Sequence, residues 1–81
     1  MGYHDEVREK IMLEGLGNSP EYARKKVEDY KKSATINYRL YKTTDSKEDA
    51  QSYYTASQNA YAKADAWKEV LAFLLHKLSG R

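Results

Sequence analysis

The side chains of this sequence that could do chemistry are two histidines, a scatter of carboxylates and a handful of serines. Their spacing decides what chemistry is open to them. A zinc-binding helix sets two histidines four residues apart, so that both face one ion. His4, beside Asp5 and Glu6, has no such partner, and neither has His76, beside Lys77. No metal site is expected. The carboxylate pairs Asp5/Glu9 and Glu48/Asp49 fall on helix faces turned to solvent. A general acid needs a dry cleft to move its pKa. Ser19, Ser33, Ser46, Ser52 and Ser57 have no evident base to activate them. The run Gly15-Leu16-Gly17 follows a helix, not a strand, and lacks the third glycine and the lysine of a nucleotide loop. There is no cysteine, hence no thiol nucleophile and no disulfide. The sequence predicts no enzyme, no cofactor and no small-molecule substrate.

What remains is binding, and the elements that would present it. A chain of 81 residues has room for one domain and one modest core. Its stability is expected at roughly 4–12 kcal/mol. The strongest break is GLGNSP, residues 15–20. Gly15 is expected to end a helix in the left-handed conformation, with Leu16 folding back as its apolar contact. Ser19 caps the next helix, and Pro20 stands in its first turn, where a missing N–H is harmless. The second break is TTDSKED, residues 43–49. Asp45 and Glu48 have the spacing of a capping box, with Ser46 as the competing cap. These marks divide the chain into three helices at about 3–14, 20–42 and 46–78. No stretch alternates as a strand would.

The third helix carries a heptad seam: Ala50, Tyr53, Ser57, Ala60, Ala64, Trp67, Leu71, Leu74 and Leu78, spaced alternately three and four. The second answers with Ala23, Val27, Tyr30, Ala34, Asn37 and Tyr41. A short connection between two such helices makes them antiparallel neighbours. The fold class is therefore all-α: a long antiparallel helical hairpin with a short N-terminal helix, forming a three-helix bundle or a dimerising hairpin. At 1.5 Å per residue the third helix is about 50 Å long and the second about 35 Å. The second runs out near Trp67, where WKEVLAFLLHKL begins. The first helix, with Tyr3, Val7 and Ile11 on one stripe and Met12, Leu13 and Leu16 adding to it, is expected to fold over residues 67–78. It is too short to cover every apolar residue there. A second stripe of Ala62, Ala66 and Phe73 invites another helix, and Tyr22, Ile36 and Leu40 fall outside the seam of the second.

The expected partner is therefore another protein, or a second copy as a homodimer. The expected contact residues are Tyr61, Trp67, Val70, Phe73, Leu74, Leu75 and Leu78, with Tyr22 and Tyr54 turned outward. Eight tyrosines in so short a chain suit interfaces, because tyrosine packs, hydrogen-bonds and tolerates exposure. Such an adaptor or inhibitor would act by occlusion, as many accessory proteins of phages and mobile elements do.

Charge supplies the alternative. Residues 1–19 hold Asp5, Glu6, Glu9 and Glu14 against Arg8 and Lys10, net −2. Residues 20–42 hold Glu21, Glu28 and Asp29 against Arg24, Lys25, Lys26, Lys31, Lys32, Arg39 and Lys42, net +4. That basic helix could contact nucleic acid or an acidic protein. LGNSPEYARKKV is similar to the turn and recognition helix of a helix-turn-helix domain. Asn18 and Lys26 depart from that pattern where apolar residues are usual, and the family is not assigned. The longest apolar run is about six residues, against the twenty a membrane span needs. The N-terminus is charged and has no apolar stretch behind it. A cytoplasmic protein with no membrane partner is expected.

Overall fold

The computed structural model describes the backbone of residues 3–79 and the side chains of residues 5–78. The side chains of Tyr3 and His4 lie outside the described residues. Three helices follow in order: α1 (Tyr3–Gly15), α2 (Pro20–Thr43) and α3 (Lys47–Ser79). They form an elongated body of 54 × 26 × 14 Å. The all-α architecture is the one the seams predict.

Each boundary has a local cause. Ser19, in an extended conformation, accepts a hydrogen bond from the Tyr22 N–H at 3.2 Å, and Pro20 opens α2 behind it. At the other end the Thr43 hydroxyl donates to the Arg39 carbonyl, and the Thr44 N–H to the Leu40 carbonyl. Both satisfy carbonyls that the ending helix leaves open. The cap of α3 is Ser46, whose Oγ accepts from the Asp49 N–H at 3.2 Å. The competing cap wins over the Asp45/Glu48 box, and α3 starts one residue later than expected.

The end of α1 is a correction. No described glycine has a positive φ, so Gly15 ends nothing by left-handed geometry. Short backbone bonds from Leu16 to Met12, Gly17 to Glu14 and Asn18 to Gly15 wind the last turn tight instead. The Asn18 side-chain amide adds a bond to the Glu14 carbonyl at 2.8 Å, so Asn18 closes the helix rather than plugging a core. Leu16 is exposed and does not fold back.

The hairpin register is pinned at three levels. Tyr22 meets Trp67 edge-on with ring centres 5.5 Å apart. The buried Ser57 hydroxyl donates to the Ala34 carbonyl at 2.9 Å. Tyr41 meets Tyr54 at 5.1 Å. Between these levels Ala23, Val27, Ala34, Ala60 and Ala64 are all buried, so small residues let the two long helices close on each other.

Helix α1 packs on α3 as expected, but about one turn closer to its middle than the lengths suggested. The four residues between Gly15 and Pro20 double the chain back, so α1 runs antiparallel to α2 and parallel to α3, and it packs on α3. Asp5 and Arg8 share a shallow cleft with Ala62, Ala66 and Glu69. Gly15 meets Val70, where a Cβ would overlap both methyl groups. So α1 covers residues near 62–74 of α3, not 67–78. Ile11, with Val7 and Met12, closes the core over Ala66, Trp67, Val70 and Leu74.

Candidate functional site

Among the described residues, no three ligating side chains come together to hold a metal ion, and no buried polar side-chain atom lacks a partner. The one buried polar side chain among them, Ser57, is committed to the Ala34 carbonyl.

The expected contact residues of α3 divide. Trp67, Val70 and Leu74 are 1%, 0% and 7% exposed, and so belong to the core and not to a contact surface. The reason is α1: running parallel to α3, it seats Ile11 and Gly15 over that stretch. Beyond it α3 overhangs both other helices. Phe73, Leu75 and Leu78 are 47%, 42% and 63% exposed there. They leave the helix in different directions, because steps of two, three and five residues turn it through widely different angles. Leu13 and Leu16, expected to add to the covering stripe of α1, are instead 74% and 46% exposed at the same end. The signal was present for Leu13. It lies two positions from Ile11, more than half a helical turn away, so one must face out when the other faces in.

Tyr22 is half turned outward, holding its ring edge on Trp67 and donating its hydroxyl to Glu14 at 2.9 Å. Tyr54 packs on Tyr41, which also touches Tyr38 at 5.7 Å. Tyr61 is exposed.

The basic residues of α2 do not form one patch. Lys26 turns toward α1, its ammonium 5.3 Å from the Tyr22 ring centre. Burial pulls that ammonium down, but Tyr22, Tyr30 and Glu14 outweigh it and hold its pKa above the ordinary value. Lys25 and Lys32 stand about half a turn from the Ala23–Ala34 seam, away from α3. Arg39 lies on the same outer side. Arg24, Lys31 and Lys42 share the flank of α2 that also bears Tyr38, and Lys42 sits 5.7 Å over that ring. Lys63 of α3 does the same over Tyr30 at 5.6 Å.

Helix α1 is fastened to α3 by an exposed fork. The Arg8 guanidinium donates from Nε to Glu69 Oε2 at 2.6 Å and from Nη2 to Oε1 at 3.0 Å. That hydrogen bond, helped by the charge pair, holds the Glu69 carboxyl below its ordinary value and the guanidinium above.

Among the described residues, no helix is long and apolar enough to cross a membrane. The chain matches no protein-family model, and no curated protein or solved structure is significantly similar to it.

Proposed function

We propose that this protein works by binding and not by chemistry, as a small helical adaptor or occluding inhibitor whose bundle end docks on another protein. The observation that carries the reading is that Leu13, Leu16, Phe73 and Leu78 are all exposed at the last turns of α1 and α3. Large apolar side chains on a rigid helix are the anchors that groove-binding helices use.

The experiment compares wild type with Phe73→Asp/Leu78→Asp as bait, after circular dichroism has verified equal helicity. A protein retained by wild type and lost by the variant supports the reading. Identical retention by both sinks it. Light scattering behind size exclusion at several concentrations separates the remaining occupant. A dimer that the same two substitutions dissolve assigns the end to a second copy.

A further inference from the structure

Helix α1 covers only one side of the hairpin. The residues that meet it are Ala66, Glu69 and Val70 of α3 and Tyr22 and Lys26 of α2. The opposite side of the α2–α3 groove has no helix over it along its whole length.

The hydrogen bond from Ser57 to Ala34 sets what faces what on that open side. Counting from it in antiparallel steps puts Arg24 level with Lys68, Lys31 with Tyr61, and Tyr38 with Tyr54. Each set is seven residues apart, so each forms a straight row. Lys42 continues the α2 row one turn beyond Tyr38. The two rows therefore hold four bases and three tyrosines. No carboxylate occupies any of these positions. The nearest acids flank the strip: Glu28 on the outer side of α2, and Asp65 at 3.8 Å from Lys68.

The rings are not spent on the core. Tyr38, Tyr54 and Tyr61 are 40%, 41% and 43% exposed. Tyr41 lies against both Tyr38 and Tyr54, and the Lys42 ammonium sits 5.7 Å over the Tyr38 ring, where an incoming base takes its place. Half-open aromatic faces set among cations are what a strand of unpaired bases recognises. Phosphates pair with the cations, and bases stack on the rings. An acidic protein would pair with the cations too, but it offers no succession of flat faces to stack on the rings. A duplex hides its base faces inside the stack.

We infer that the α2–α3 face opposite α1 binds single-stranded nucleic acid. Arg24, Lys31, Lys42 and Lys68 contact phosphates, and Tyr38, Tyr54 and Tyr61 serve as stacking platforms. From Arg24 to Lys42 the strip runs about 27 Å. That accommodates about four nucleotides, the short end of known single-strand sites. The surface shares no residue with the apolar end, so it stands or falls separately from the docking proposed there.

The test is fluorescence anisotropy of the full chain with labelled oligo(dT) and oligo(rU) of fifteen nucleotides, a duplex of that length, and poly-glutamate. Salt is varied between 50 and 200 mM. The expected result is binding to the single strands, with a log–log salt slope near about −3, from four phosphate contacts at about 0.7 each. Tyr54→Ala and Tyr61→Ala should each weaken binding about tenfold. Lys31→Glu should flatten the slope by about one. Phe73→Asp should bind as wild type does. No binding at 50 mM salt overturns the inference. So does equal binding of duplex with indifference to both tyrosine variants, which is charge attraction alone. Preference for poly-glutamate overturns it in favour of an acidic protein.

Discussion

Gly15 lies flat against Val70: a Cβ on the glycine would overlap Cγ1 of the valine and stand 2.8 Å from Cγ2. The glycine is therefore a packing residue that lets α1 touch α3 backbone to side chain. Gly15→Ala is expected to destabilise the fold by about 1–3 kcal/mol through overpacking. The better helix propensity of alanine offsets at most ~1 kcal/mol of that. Urea denaturation measures it. Adding Val70→Ala should cost less than the sum of the two single changes, because it removes the methyl groups that clash. Strict additivity would rule the contact out.

Two aromatic residues six positions apart in α3 should behave as opposites. Trp67→Ala is expected to lose about 3–5 kcal/mol, much of the roughly 4–12 kcal/mol available. Phe73→Ala should stay within about 0.5 kcal/mol, as surface changes do. Denaturation midpoints of the two variants check this. Equal losses would mean that the end of α3 is covered.

Ser57→Ala removes the one described hydrogen bond that crosses the hairpin core. The expected loss is about 0.5–1.5 kcal/mol. A larger loss, with a changed denaturant slope, would show that the bond also sets the register.

The Arg8–Glu69 fork predicts a pH dependence with a definite sign. The Glu69 carboxyl sits below the ordinary carboxylate value, chiefly because it accepts the Arg8 hydrogen bonds. Its contribution is fully present above the unfolded value. It is lost as pH falls through the lower folded one. Melting temperatures taken between pH 7 and pH 3 should therefore show a component, in the acid part of that range, that Glu69→Gln abolishes. Because both groups are exposed, the component should also shrink in high salt. An unchanged profile in Glu69→Gln would deny the fork any part in acid stability.

The hairpin was legible because its causes are local or periodic. The alternating seam places Ala34 and Ser57 inside, and Ser19-Pro20 opens α2 as such a pair must. The cap of α3 was a choice between neighbours, Asp45 and Ser46, that spacing alone does not settle. The path of α1 was not legible. A twelve-residue stripe fits the overhang of α3 as well as its middle, and the direction is decided by the tight last turn and by Gly15 meeting Val70, a contact between residues 55 positions apart. From that one direction follow the burial of Trp67, Val70 and Leu74 and the exposure of Leu13, Leu16 and Phe73. The basic residues of α2 read as a single cluster in sequence because they are close along the chain. A helix turns them to different sides, and Lys26 is drawn to Tyr22 and away from the rest.

Helix α1 is fixed to α3 by Ile11, by Gly15 and by an exposed ion pair, while the lock between Ser57 and Ala34 lies on the hairpin alone. The molecule is therefore expected to come apart in two stages. Amide hydrogens of α1 should exchange with solvent through a local opening of lower free energy than the one that frees Ala34 and Ser57. In that opened form the hairpin would persist, with Trp67 and Val70 bared to water. A partner binding at the bundle end would then act on a population, because whatever holds α1 shut hides the largest apolar side chain of the protein, and whatever releases it puts that side chain on offer.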